Sequence, residues 1–294
     1  SPVLIGQVEA FRKEYPVHEA VRNRISEPKI PFYGKEILEM AMAALLQGSN
    51  LLLTGGKATG KNILAENLAW MFGRPSYNIS FNVNTDSSSL IGTDTFRNNE
   101  VQLRKGSVYR CAEEGGFGVF DEINMARNEA LAVLHSALDF RRVIDVPGYE
   151  RITLADDTRF IATMNYNYVG TRELNEALAS RFVVIRMPAL TLEDLQRLLR
   201  EQFPDLSSKY NKQFGLLFMD IQKKCESGEL TSKAMDLRGL LDAISLMHKG
   251  IPVRDALDLG VTNKIFDSYE QALLSDVMNA RISMKLKASE VFDG

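Results

Sequence analysis

The chain has 294 residues, 45% hydrophobic and 25% charged, an ordinary composition for a soluble globular protein with enough chain for one large or two modest domains. A formal net charge of -3 gives no electrostatic footing for a nucleic-acid binder, which needs a basic surface to neutralise phosphates. Cys111 and Cys225 lie far apart without a CxxC partner, and His18, His135 and His248 are scattered, so neither a disulfide framework nor metal-ligand spacing is expected.

Residues 1–30 read as a charged, helical lead-in interrupted at Pro16 and Pro28. Its opening, SPVLIGQVEAF, has no basic start before a long apolar stretch and so does not resemble a signal peptide. KIPFYG, ending at Gly34, reads as a linker, and residues 35–47 have helical apolar spacing. NLLLTGG at 50–56 is a short apolar run ending in glycines, the pattern of a strand buried in a parallel sheet. An amphipathic helix follows and stops at Gly73. Further apolar runs lie at 77–83, 116–122, 158–165 and 181–187, with a helical stretch at 126–140. Strands alternating with helices predict an α/β fold with a parallel sheet covered on both faces. Past Pro188 the strand signal fades and five helical stretches follow. The expected domains are the lead-in at 1–30, an α/β core at 31–188 and an all-helical lid with the C-terminal tail at 189–294. No run of about 18 apolar residues predicts a membrane span.

TGGKATGKN at 54–62 fits GxxxxGK between a strand and a helix. Glycines let the backbone wrap close to phosphates, and consecutive N–H groups with the helix N-terminus form an anion nest. The candidate phosphate contacts are Gly55, Gly56, Lys57, Ala58, Thr59, Gly60, Lys61, Asn62 and Ile63, with Lys61 reaching the β- and γ-phosphates. Asn62 stands where Ser or Thr ordinarily ligates Mg²⁺; its amide oxygen is a hard ligand but bulkier than a hydroxyl. GFGVFDE at 116–122 is an apolar run ending in two carboxylates, at the sheet edge where ligands bind. Asp121 is the candidate Mg²⁺ ligand, and Glu122 the candidate general base that polarises water.

Four stretches in order, TGGKATGKN, FDEINMARNEALAVLHSALDFRRV, FIATMN and ELNEALASRF, together resemble the AAA+ superfamily, and within it the MoxR-like and dynein-related branch. The resemblance runs from about residue 30 to 280 and implies a P-loop NTPase core, ATP and Mg²⁺ as ligands, and ATPase activity. It makes Asn165 the sensor that orients the attacking water, and Arg181 the arginine that enters a neighbouring subunit's site, which implies a homo-oligomer, commonly a hexameric ring. It makes Arg238, near the start of a helix in the lid, a second sensor. It places Phe32, Tyr33 and Gly34 at the adenine, although a packing role for the two aromatic rings is equally open. Residues 84–115, with a hairpin turning at the NN of FRNNEVQLRKG, resemble the branch's insertion into its second core helix, and 142–157 its hairpin before the first sensor. Members are often partnered with von Willebrand factor A-domain proteins, and such a chain is expected in the cytoplasm. Two other readings stay open: a nucleotide-gated assembly or scaffold with little hydrolysis, favoured by Asn62 alone, and a GTP-driven subunit of a restriction-type complex.

Overall fold

The computed structural model describes every residue except 98, 147, 166–171, 284 and 294. Part of the expected NN turn and one position of the 142–157 hairpin therefore lie outside the described residues. By contacts the chain divides into two compact units: Ser1–Gly56 with Gly60–Pro188, and Ala189–Gly294 with the loop residues Lys57–Thr59.

The first unit begins with α1 (Pro2–Glu14), which ends just before Pro16, because the residue ahead of a proline is pushed out of the helical region. A 3-10 turn at Glu19–Arg24 follows, then α2 (Lys35–Leu46), β1 (Asn50–Gly55), α3 (Lys61–Met71) and β2 (Ser76–Ser80). The insertion holds α4 (Ser87–Ile91), the antiparallel pair β3 (Gly92–Arg97) and β4 (Glu100–Lys105), and α5 (Ser107–Glu114). Next come β5 (Phe117–Asp121), α6 (Asn128–Leu131), α7 (His135–Leu138), a short hairpin of β6 (Val143–Ile144) with β7 (Ile152–Thr153), β8 (Arg159–Asn165), α8 (Glu176–Ala179) and β9 (Phe182–Arg186). The one helix expected over 126–140 is broken by a 3-10 turn at Ala132–Leu134. With three residues per turn, Leu131 and Leu134 face the same way, and both are buried.

Five parallel strands form the sheet in the order β2-β5-β8-β1-β9. Successive side chains of a strand point to opposite faces, so β1 feeds two cores. Leu52 packs with Phe120, Phe160 and Ala162, whereas Leu51 and Leu53 pack with Phe117, Val119 and Ile161. The second core also receives Val8 and Phe11 of α1, Ala41 and Leu45 of α2, and Leu64, Leu68 and Phe72 from α3 and its cap. The lead-in is thus packed into the unit that holds the sheet, because Val8 and Phe11, one helical turn apart, bury their shared face. Helix α3 stops at a Schellman cap: the Arg74 N–H donates to the Ala69 carbonyl and the Gly73 N–H to that of Trp70. Gly73 has φ 61°, a left-handed conformation that costs a glycine little.

The second unit contains α9 (Leu192–Gln202), α10 (Ser208–Glu226), α11 (Leu237–His248), α12 (Val253–Gly260) and α13 (Ser268–Arg281). A Thr191–Asp194 capping box starts α9. Each helix buries an apolar face, as in α11, where Leu240, Ala243, Ile244 and Met247 recur at helical spacing. Among the described residues no helix is long and apolar enough to cross a membrane.

Candidate functional site

The chain leaves β1 at Gly55 and re-enters regular structure at Lys61, the first residue of α3. Between them Ala58 (φ 57°) and Gly60 (φ 81°) adopt left-handed backbone conformations, the kind of backbone from which anion-binding nests are built. Gly60 is the N-cap of α3 and, lacking a side chain, supplies no capping bond of its own. The Lys61 side chain is buried, and its Nζ donates to the carbonyls of Gly56 (2.6 Å) and Gly55 (3.2 Å). Burial pulls this ammonium down to about 8, against the opposing pull of Asp121 and Glu122. Asn62 and Ile63 continue the first turn of α3, both half-buried.

Phe32 reaches this loop through a residue that sequence reasoning missed. Buried Asn67 of α3 donates to the Ile30 carbonyl (2.9 Å) and the Ile63 carbonyl (2.8 Å). Its Oδ1 accepts the Phe32 N–H (3.2 Å). That clamp holds the Phe32 ring against the loop, 3.5 Å from where a Cβ on Gly60 would sit. The same ring leaves no room for a side chain at Gly34. A polar residue inside an amphipathic helix is the only signal Asn67 offers in sequence.

The carboxyl ends of β5 and β8 bring four polar side chains together. Asp121 ends β5; Glu122 follows it in a left-handed conformation (φ 54°, ψ 47°), sparsely populated for a residue with a side chain and concentrated at functional sites. The Thr163 hydroxyl donates to Asp121 Oδ1 (2.8 Å) and accepts the Glu122 N–H (3.1 Å). Two residues on, Asn165 Nδ2 donates to Glu122 Oε1 (3.0 Å). Asn124 Nδ2 donates to the Asn165 carbonyl (3.1 Å), and the Asn124 carbonyl accepts the Arg172 N–H (3.0 Å). Thr163 and Asn124 were not singled out from sequence.

Arg181, between α8 and β9, is folded onto its own unit. Nε donates to the His135 carbonyl (3.2 Å), Nη1 to that of Ala177, and Nη2 lies 3.6 Å from Asp139. Hydrogen bonding from Arg141, reinforced by the charges of Arg141 and Arg181, holds the Asp139 carboxyl at about 2. Phe140, between these charged residues, is 93% exposed. Arg238 lies in the first turn of α11, in the second unit, with Lys57, Ala58 and Thr59 assigned to that unit as well. Gly55, Gly56, Gly60, Lys61, Asn62, Asp121, Glu122 and Asn165 all lie in the first unit, where Lys61 feels the charges of Asp121 and Glu122 and Asn165 bonds Glu122. Among the described residues no group of three His, Cys, Asp or Glu is placed to enclose a metal.

Residues 50–182 match the model of the AAA domain, dynein-related subfamily. The chain is 33% identical over 281 residues to the uncharacterized protein YojN of Bacillus subtilis, covering 94% of this chain and 92% of that one. It is 34% identical over 228 residues to the uncharacterized protein SAB1265c of Staphylococcus aureus, covering 76% of this chain and 86% of the other. A solved structure from Cytophaga hutchinsonii overlaps 96% of each chain at a TM-score of 0.49 and 15% identity. The chain belongs to the AAA domain family, dynein-related subfamily.

Proposed function

We propose that the chain is a MoxR-like AAA+ ATPase that hydrolyses ATP with Mg²⁺, assembles as a ring and remodels a partner protein in the cytoplasm. The observation that carries this reading is the hydrogen-bonded cluster of Asp121, Thr163, Glu122 and Asn165 at the sheet's carboxyl edge, electrostatically coupled to the buried lysine of the phosphate loop. Ligands of open α/β sheets bind beyond those strand ends.

The residues fit a nucleoside triphosphate with Mg²⁺. The loop and the start of α3, where Gly60 gives no side-chain cap, would supply N–H groups for phosphate oxygens. Lys61, held by backbone carbonyls and partly desolvated, gains a better partner when a phosphate arrives. A protein that leaves part of the coordination shell to phosphates and water needs only one or two carboxylates for Mg²⁺; Asp121 would hold it, with Asn62 nearby in sequence to the lysine. When bound, Mg²⁺ neutralises charge on the phosphates. Glu122 is held by Asn165 at one carboxylate oxygen and through its N–H by Thr163, which fixes it to polarise a water molecule and accept its proton as phosphate is released. Phe32, Tyr33 and Gly34 would border the base, and Arg238 would report nucleotide state from the helical unit.

Arg181 would act on a neighbouring subunit. Its side chain is held by two carbonyls and Asp139, and the next residue after Asp139, Phe140, is an exposed apolar group suited to an interface between copies. A head-to-tail contact of this kind builds a ring when its rotation closes. The von Willebrand factor A-domain partner belongs to the same proposal. Arg181→Ala is expected to bind ATP as the wild type does while turnover drops about a thousandfold. Equal turnover would remove the trans role, as would sedimentation of the wild type as a monomer with ATP and Mg²⁺ present. A second reading, a nucleotide-gated scaffold with little turnover, is favoured by Asn62, an amide where a hydroxyl ordinarily ligates Mg²⁺. Comparing ATP with GTP turnover separates both from a GTP-driven reading.

A further inference from the structure

We propose that Thr163, whose hydroxyl bridges the Asp121 carboxylate and the Glu122 backbone, is a positioning residue that sets the divalent-cation affinity of the nucleotide site. The inference rests on the nucleotide-site reading above and deepens it.

Thr163 is fully buried on the central strand β8, where a β-branched side chain packs well whether or not it carries a hydroxyl. Valine would fill the same volume without the desolvation cost of a hydroxyl, so the hydroxyl must return something for its burial. A hydroxyl has one proton to donate and lone pairs to accept with. Here the proton goes to Asp121 Oδ1 and a lone pair receives the Glu122 N–H, both across to the neighbouring strand. The sheet register accounts for the meeting: Phe120 pairs with Ala162, so Asp121 continues opposite Thr163. Alternation along β8 then puts Asn165 on the same side, where it holds the Glu122 side chain. Thr163 holds the backbone of the glutamate in its left-handed conformation and the carboxylate of the aspartate in one rotamer.

The departure at residue 62 gives this bridge added weight. With an amide in place of the usual hydroxyl beside Lys61, the protein's share of cation binding falls mainly on Asp121. A carboxylate free to rotate loses order on binding a cation, whereas one hydrogen-bonded to a buried group arrives oriented. The hydroxyl's two hydrogen bonds go to Asp121 and Glu122, so its loss falls first on the cation's carboxylate ligand.

The test uses the full chain with Thr163→Val and Thr163→Ser, a fluorescent ATP analogue, and Mg²⁺ titrated into the nucleotide-bound protein. The expected result is nucleotide affinity without Mg²⁺ within about twofold of wild type in both variants, and a Mg²⁺ requirement raised about tenfold in the valine variant. Serine, which keeps the hydroxyl, is expected to restore the requirement to within about threefold. Should the valine variant fail to fold, Thr163→Ala removes the hydroxyl without crowding the core and carries the same expectation. An unchanged Mg²⁺ requirement in the hydroxyl-free variant overturns the inference, as does an equal loss of Mg²⁺-free binding, which marks a merely structural role. A wild type whose nucleotide binding ignores Mg²⁺ overturns the site reading instead, so the two failures are distinct.

Discussion

Lys61→Ala is expected to weaken ATP binding about a hundredfold or more and thereby to abolish turnover, because it removes the one buried cation in the phosphate loop's own turn. A charge-assisted bond contributes about 1.5–3 kcal/mol, and a lysine that reaches two phosphates makes more than one. The fold is not expected to suffer: Lys61 is the first residue of α3, and alanine is a good helix former there. Circular dichroism and the melting midpoint would therefore match wild type while equilibrium binding of a fluorescent nucleotide falls. The same site predicts a pH dependence. In the nucleotide-free protein burial holds Lys61 at about 8, so it is charged below that pH and progressively neutral above it. A phosphate partner favours the charged form, so ATP affinity should decline above about pH 8 and binding there should take up a proton. Retained affinity in the alanine variant would remove the lysine from the phosphate site.

The second large effect is on stability, at the opposite edge of the sheet. Arg74 is buried just after α3; it donates to the carbonyls of Gly115 (3.0 Å) and Tyr15 (2.5 Å) and lies 2.5 Å from Asp157. Burial lowers the Arg74 pKa, and burial also raises that of Asp157 even though the arginine opposes it. Taking one partner from such a pair strands a charge in a poorly solvated place. Asp157→Ala is expected to cost about 3–5 kcal/mol, seen as a midpoint lower by roughly 10 °C. Replacing both partners with apolar residues should cost less than the single change, which a double-mutant cycle would show. An unaltered midpoint in Asp157→Ala would mean that water reaches Arg74 when its partner is gone.

What the sequence reveals and what it hides differ for a physical reason. The strands of the central sheet were legible because both faces are covered: Leu51, Leu52 and Leu53 are all buried, so the run is continuous instead of alternating. The five helices of the second unit were legible through their period. The break within 126–140 was not, because a 3-10 turn that keeps Leu131 and Leu134 on one face leaves the leucine pattern nearly as a helix would. At the site, Lys61 and the Asp121–Glu122 pair stand out because each sits in a short local motif bounded by a strand. Thr163 does not, since inside FIATMN it reads as one more β-branched strand residue. Its importance depends on lying opposite Asp121 across a pairing that the sequence does not state. Asn67 is hidden likewise, its partners Ile30 and Phe32 being far away along the chain. Arg74 and Asp157 meet only once the sheet has closed.

The most direct test of the account is Mg²⁺-dependent phosphate release by the wild type beside Glu122→Gln, with bound ATP measured in both. Glutamine keeps the shape and an oxygen for Asn165 but cannot take a proton. The wild type is expected to turn over, while the variant retains ATP and hydrolyses it about a hundredfold to ten-thousandfold more slowly. Equal rates in the two proteins, or a wild type that binds ATP and releases no phosphate at any Mg²⁺ concentration, would contradict it.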